Sequence, residues 1–126
     1  VNMFPGTISK SSTDHVIIDT PELDHKIYID HGVSVSKGKS VWVALRPEKI
    51  GINKTAPSEN KYNYIRGKVD EIAYVGGLSV YLVKTPSGKV IRSTLTNVDR
   101  LVENRITWDD EVYLSWQPGA AEVLTW

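Results

Sequence analysis

Hydrophobic residues along this chain occur in the short alternating runs that are typical of β-strands. Ile27 and Ile29 share one face of an extended segment, and Val112 and Leu114 share one face of another. Gly, Pro, Asn and Asp separate these runs, as turn residues do in antiparallel sheets. The pattern predicts strands at Gly6–Ser9, His15–Asp19, Lys26–Asp30, Ser40–Leu45, Ile65–Tyr74, Ser79–Thr85, Lys89–Leu95, Glu111–Trp116 and Glu122–Trp126.

Local departures from simple alternation predict a bulge, a hairpin turn and a helix. The apolar phase slips by one residue between Val69 and Ile72, and an unbroken strand cannot place both side chains on one face, so we expect a bulge or bend there. In the sequence TPSGK, Pro86 presets its φ angle and Gly88 supplies a positive one, which indicates a hairpin turn. The spacing of apolar residues within 97–104 favours one short helix.

The polar segment 54–63, with the sequence KTAPSENKYN, is the best candidate for a linker. It divides the strands into two groups, at about 1–53 and 64–126, within one domain that spans 1–126. No long helix is available for the crossovers that a parallel sheet requires. The sequence therefore predicts an all-β protein made of small antiparallel barrel-like units that are intertwined.

Composition indicates a folded domain and narrows the possible partners. The chain has 126 residues, of which 40% are hydrophobic and 24% are charged, as in ordinary globular domains. Fifteen basic residues balance 15 acidic ones, so the chain lacks the basic excess of a nucleic-acid-binding protein. There are no cysteines, which fits a cytosolic protein. No apolar run approaches the roughly 20 residues of a membrane span.

Gly38-Lys39-Ser40 matches the last residues of a phosphate-binding P-loop. The motif also requires a glycine at position 33, where this chain has valine, and a helix after the serine. A strand is predicted to follow instead. We therefore interpret the segment as a hairpin turn that leads into a strand.

Three Asp-His pairs, at 14–15, 24–25 and 30–31, contain residue types that bind metals or transfer protons. In an extended strand, six residues separate His25 and His31 by about 20 Å, which is too far for one metal. Only a neighbouring strand could bring His15 close to either of them. We expect polar strand ends here and no metal site.

Neither a nucleophile motif nor the aromatic residues indicate an active site. No G-x-S-x-G sequence is present, and no catalytic residue is assigned. The four tryptophans and six tyrosines could stack on bases, but in a neutral small barrel they favour a core or interface role. Trp126, near Leu124, is a candidate for edge-strand packing or a subunit contact.

Several motifs occur in the order found in one known family. ALRPEKI, at 44–50, resembles the strand ending in Arg-Pro-Glu of the TOBE domains, the C-terminal accessory domains of ABC-importer ATPases. VNMFPGTI resembles their first strand, Asn-x-Phe-x-Gly. GKVDEIAYVGGLSVYLVKTPSGKVI resembles their Gly-x-Val-x-x-x-x-Tyr-x-Gly segment with its hairpin, and WDDEVYLSW resembles a strand near the end. Within the TOBE family, the sequences of these motifs are most similar to those of the polyamine (spermidine/putrescine) branch.

This resemblance implies a barrel of the oligosaccharide/oligonucleotide-binding type with a regulatory or dimerisation role. It implies as partners the chain's own ATPase domain, a second copy of the same subunit and the permease subunits of the importer, and no nucleic acid. The parent protein would use ATP and Mg, but this segment lacks the P-loop, signature and Walker B motifs. We therefore expect no cofactor, no metal and no ATP hydrolysis here. The expected location is cytoplasmic, peripheral to the inner membrane through the transporter complex.

Two sets of residues are candidates for a functional surface. Arg46, Pro47 and Glu48 end a strand and are predicted to form a barrel corner, at the interface with the ATPase domain, rather than a catalytic site. A small-molecule site for a polyamine or an oxyanion is the alternative, because polyamines need carboxylates and aromatic rings. Oligonucleotide binding is a further alternative that the neutral charge disfavours. The candidate ligand residues are Asp70, Glu71, Tyr74, Trp108 and Asp109.

Overall fold

The computed structural model describes residues 1–57, 63–96 and 106–125, and they form two five-stranded antiparallel sheets. A short 3-10 helix, Pro47–Lys49, lies between the fourth and fifth strands. No helix in these ranges is long and apolar enough to cross a membrane. The strands are β1 Asn2–Ser11, β2 Val16–Asp19, β3 Ile27–Ile29, β4 Ser40–Leu45, β5 Gly51–Asn53, β6 Tyr64–Val75, β7 Leu78–Lys84, β8 Val90–Thr96, β9 Glu111–Ser115 and β10 Glu122–Leu124.

Each sheet contains one strand from the other part of the chain. The first sheet has the order β10-β4-β1-β2-β3, so its edge strand β10 comes from the C-terminal part. The second has the order β5-β9-β6-β7-β8, so its edge strand β5 comes from the N-terminal part. This exchange confirms the predicted intertwining of antiparallel strands, while the division at 54–63 stays a prediction.

One hydrophobic core joins the two sheets. Phe4 and Val43 of the first sheet and Ile65, Val83 and Leu114 of the second are all almost fully buried in the same cluster. In β4 and β9 the buried residues alternate with more exposed ones, as the period-two pattern predicts. The predicted all-β class is therefore confirmed.

The predicted strands all correspond to observed ones, with differences at their ends. β1 begins at Asn2, before its predicted start, and therefore includes Pro5, although proline usually interrupts a ladder. β2 begins to pair with β1 only at Thr7, so one side of β1 has no ladder partner at Pro5. The short strand β5 was not predicted, because its three residues, Gly-Ile-Asn, contain a single large apolar side chain and so carry little signal. The predicted helix at 97–104 lies outside the described residues.

The predicted irregularity between Val69 and Ile72 is a β-bulge. The register between β6 and β7 shifts between Val69 and Glu71, which leaves Asp70 as the additional residue. A second bulge, between Ile8 and Lys10 in β1, was not predicted.

Two buried asparagine side chains connect the sheets. Each amide forms a pair of hydrogen bonds with the backbone of one residue, as a neighbouring strand would. Asn2 accepts a hydrogen bond from the Arg92 N–H (2.8 Å) and donates one to the Arg92 carbonyl (2.9 Å), which joins β1 to β8. Asn63 makes the same pair with Tyr28, at 2.8 and 2.9 Å, and joins the start of β6 to the edge strand β3. Because a buried backbone group without a partner is costly, these amides complete the ladders where the sheets meet.

Lys89 is a third connection between the sheets. Its ammonium donates a hydrogen bond to the Met3 carbonyl (2.7 Å), lies 3.0 Å from the Glu22 carboxylate and sits 5.2 Å from the centre of the Phe4 ring. The side chain is only 25% exposed, so solvent screens these contacts less than it screens a surface ion pair.

We expect Lys89→Met to lower the free energy of unfolding by about 1–2 kcal/mol, because it removes a charged hydrogen bond and a cation–π contact. Urea denaturation followed by tryptophan fluorescence measures the change. The exposed Lys84→Met is the matched control, with an expected change of under about 0.5 kcal/mol. Equal effects of the two substitutions would contradict the assigned role.

Candidate functional site

The bulge in β6 lines an open cleft of about 370 Å³, which we call the bulge cleft. Asp70 lines it from the bulge, and Asp109 lines it from the turn before β9. Asp109 adopts a left-handed backbone conformation, with φ of 67°, and its N–H donates a 2.8 Å hydrogen bond to the Val69 carbonyl. The bulge and the turn therefore hold each other in place.

In the turn at 107–110, the neighbouring residues Asp109 and Asp110 have different roles. The Asp110 carboxylate accepts a 2.8 Å hydrogen bond from the Thr107 N–H and lies 3.4 Å from the Lys54 ammonium. Asp110 thus stabilises the turn, as aspartate commonly does in such positions. Asp109 presents its exposed side chain to the cleft.

Charged side chains of both signs line the bulge cleft. Lys68 lies opposite Glu111 of β9 on one side and opposite Lys84 of β7 on the other. In the part of the chain that the structure describes, none of the lining charges forms an ion pair. The cleft can therefore offer carboxylates to a cation or ammonium and guanidinium groups to an anion. The charged lining residues are Arg66, Lys68, Asp70, Lys84, Asp109 and Glu111.

The structure brings together two of the five predicted ligand residues, Asp70 and Asp109. Glu71, Tyr74 and Trp108 do not line the cleft, although Tyr74 and Trp108 are 53% and 50% exposed. The basic residues were missed, whereas Glu111 belongs to the acidic WDDE segment from which Asp109 was proposed. Arg66 and Lys68 are exposed positions of β6, and in the sequence they look like ordinary solvated strand residues.

The Arg46-Pro47-Glu48 segment forms the corner between the sheets. Arg46 is extended, and Pro47 begins the 3-10 helix that leads from β4 in the first sheet to β5 in the second. The Arg46 guanidinium and the Glu48 carboxylate are 3.9 Å apart and mostly exposed, so their pairing contributes little to stability. The corner borders a second open cleft of about 440 Å³, lined by Arg46, Lys49, Gln117, Gly119, Ala120 and Glu122. Trp126, the other candidate interface residue, lies outside the described residues.

Antiparallel pairing of β2 with β3 brings the Asp-His pairs at 14–15 and 30–31 to the same end of the hairpin. Each histidine contacts the aspartate before it, at 2.8 Å for His15 and 3.3 Å for His31. The bond from His15 holds the pKa of the Asp14 carboxyl below its usual value. Within residues 1–57, 63–96 and 106–125, no group of three or more potential ligands could hold a metal.

The Gly38-Lys39-Ser40 segment is a turn that leads into a strand. Gly38 has a φ of 91°, and its N–H donates a 2.7 Å hydrogen bond to the Ile8 carbonyl. Ser40 then begins β4. Since a strand follows, the segment lacks the helix on which a P-loop depends.

Comparisons with known proteins agree with this architecture. The family model described as "TOBE domain" matches residues 43–124. The putrescine transport ATP-binding protein PotG of Escherichia coli K12 is 41% identical, over 99% of this chain and 33% of PotG. The spermidine/putrescine import ATP-binding protein PotA of Thermotoga maritima is 28% identical, over 98% of this chain and 34% of that protein. The chain thus spans about a third of the length of these relatives.

A solved structure has the same fold. The cytoplasmic molybdate-binding protein ModG, with molybdate bound, matches with a TM-score of 0.83, over 98% of this chain and 95% of ModG. The sequence identity is 14%, so this similarity concerns the fold alone.

Proposed function

Because the chain belongs to the TOBE domain family, we propose that it is the regulatory and dimerisation domain of the ATP-hydrolysing subunit of a polyamine importer. One observation carries the proposal: the similarity to the putrescine transport protein PotG extends over 99% of the chain. The TOBE part of such a protein is not its catalytic ATPase domain. ATP and Mg would bind elsewhere in the parent protein, and this domain would hydrolyse no ATP.

The proposed partners follow from this assignment. The domain would contact its own ATPase domain, a second copy of the subunit and the permease subunits, at the cytoplasmic side of the membrane. The exposed corner at Arg46 and Glu48 is our candidate for the contact with the ATPase domain, because it projects charged side chains from the junction of the two sheets.

A pull-down experiment tests the proposal. The chain replaces the matching third of PotG, and the tagged hybrid is purified from membranes after mild crosslinking. We expect recovery of permease subunits and of an untagged copy of the hybrid. PotG truncated before this third is the control. A folded hybrid that binds ATP but recovers neither partner would overturn the proposed role.

Asp70 and Asp109 line the same cleft. This arrangement supports a second candidate function, the binding of a small charged effector in the bulge cleft. The cleft offers Asp70, Asp109 and Glu111 to a polyamine, and it offers Arg66, Lys68 and Lys84 to an oxyanion such as molybdate. Because both charge types lie in one cleft, a cationic ligand would bind the carboxylates and an anionic ligand would bind the basic side chains.

Calorimetric titration at low salt distinguishes these ligands. If a polyamine binds, we expect Asp109→Asn to weaken spermidine binding by about tenfold, since a lost charged contact costs about 1.5–3 kcal/mol. If an oxyanion binds, Lys68→Met should have that effect on molybdate, and Asp109→Asn should not. Glu48→Gln, outside the cleft, is the control. The absence of heat with every ligand at millimolar concentration would remove this function.

A further inference from the structure

Two lysines of the bulge cleft are direct neighbours in the sheet. Lys68 of β6 lies opposite Lys84 of β7 in the register, and both side chains are exposed. The other cross-strand neighbour of Lys84 is the apolar Val90, so no acidic residue balances its charge within the ladder. Like charges that lie directly opposite each other destabilise a sheet, and an anionic group held between these two ammonium groups would remove that cost.

Acidic side chains form a second group of like charges in the same cleft. Asp70 is the additional residue of the bulge, so it has no cross-strand neighbour in β7. The hydrogen bond from the Asp109 N–H to the Val69 carbonyl holds the turn at 107–110 beside the bulge. Within the described ranges, neither these two aspartates nor the two lysines form an ion pair. A cationic group beside the carboxylates would therefore gain contacts that the protein itself does not supply.

The strand order gives the cleft a basic side and an acidic side. In the order β9-β6-β7, Glu111 lies opposite Lys68 on one side of β6, and Lys84 lies opposite Lys68 on the other. Asp109 precedes β9 and therefore lies on the same side as Glu111. Neighbouring strands are about 4.8 Å apart, so the midpoint between Lys68 and Lys84 lies roughly 7 Å from β9. A ligand that contacts both sides must carry its opposite charges at about that separation.

The charges of the cleft sum to zero, since three basic and three acidic side chains line it. A ligand with a net charge of either sign is attracted by one set and repelled by the other. We propose that the cleft binds a zwitterion, an ω-amino acid about as long as δ-aminovalerate. Its carboxylate lies between Lys68 and Lys84, and its ammonium group lies beside Asp70 and Asp109.

This inference rests on the second candidate function, the binding of a small charged effector in the bulge cleft, and it names the class of ligand. Spermidine would satisfy the carboxylates and leave the two neighbouring lysines facing each other. Molybdate would satisfy the lysines and leave the carboxylates without a cation. A zwitterion satisfies both groups at once, which is the physical reason for preferring it.

An NMR titration of the isotopically labelled 126-residue chain at low salt tests the ligand class. The ligands are δ-aminovalerate and its two single-charge analogues, pentylamine and valerate. We expect amide shifts at the bulge and at the turn 107–110. We also expect a dissociation constant for δ-aminovalerate that is about tenfold lower than for either analogue, because it makes charged contacts on both sides. Glycine should bind less tightly, since its two charges are too close together to reach both sides.

Two substitutions separate the two sides of the cleft. Lys84→Met should raise the dissociation constant of δ-aminovalerate by about tenfold and should not weaken the binding of pentylamine. Asp109→Asn should raise that of δ-aminovalerate by a similar factor and should not weaken the binding of valerate. Lys10→Met, on β1 and outside the cleft, is the control and should change none of these values. Circular dichroism confirms that each variant is folded.

The outcomes distinguish this inference from the function on which it rests. If δ-aminovalerate does not bind, or binds no more tightly than the better of its two analogues, the zwitterion is wrong. Calorimetric heat with spermidine or molybdate would then leave the effector function standing. If δ-aminovalerate produces no shifts and neither spermidine nor molybdate produces heat, both the inference and the effector function are overturned.

Discussion

We expect Asn63→Ala to lower the free energy of unfolding by about 2–4 kcal/mol, because it removes the two hydrogen bonds to the Tyr28 backbone and places alanine in a left-handed conformation. Asn63 is 3% exposed and has a φ of 59°. Its own carbonyl accepts a 3.1 Å hydrogen bond from the Trp116 N–H, so the residue also anchors the end of β9. Urea denaturation followed by circular dichroism measures the loss.

Asn63→Gly separates the two causes. Glycine adopts the left-handed conformation without strain, so this variant loses only the amide hydrogen bonds. We expect it to be more stable than Asn63→Ala by about 1 kcal/mol, yet clearly less stable than the wild type. If Asn63→Gly matches the wild type, the connection to Tyr28 contributes nothing and the assigned role is wrong.

Gly67→Ala should destabilise the domain by about 2–3 kcal/mol through overpacking. A Cβ atom at this position would lie 2.6 Å from Cγ1 of Val83 and 2.8 Å from the Lys84 carbonyl oxygen. The carbonyl belongs to a paired strand and cannot move without disturbing the ladder. The shift of the urea midpoint, at an unchanged m-value, measures this effect.

Gly77→Ala is the matched control for Gly67→Ala. A Cβ atom at Gly77 meets no atom within 4 Å, so we expect a change of less than about 0.5 kcal/mol. Equal destabilisation by the two substitutions would show that the close approach at Gly67 is not the cause.

The period-two pattern determined most of the fold from sequence, because burial on one face of each strand is a local signal. β4 was predicted with its observed ends, and the slip between Val69 and Ile72 located the bulge. The exchange of β5 and β10 between the sheets was less accessible, since pairing between distant segments leaves no local trace. The same holds for Asn2 and Asn63, whose partners are 90 and 35 residues away in sequence.

The candidate site was predicted only in part for a related reason. Asp70 and Asp109 were proposed from their residue type, and the bulge brings them to one cleft. Lys68 and Lys84 were missed because each looks like an ordinary solvated strand position until the register places them side by side. The motif residues Phe4 and Gly67 are structural: one is fully buried, and the other allows a close approach between strands.

Uptake of labelled putrescine is the most direct test of the central claim that this chain is the regulatory domain of a polyamine importer. Cells that lack PotG receive either the hybrid, in which this chain replaces the matching third of PotG, or PotG truncated before that third. We predict that the hybrid restores uptake and that the truncated protein does not. A hybrid that accumulates and binds ATP as PotG does, with uptake no higher than that of the truncated protein, would contradict the claim.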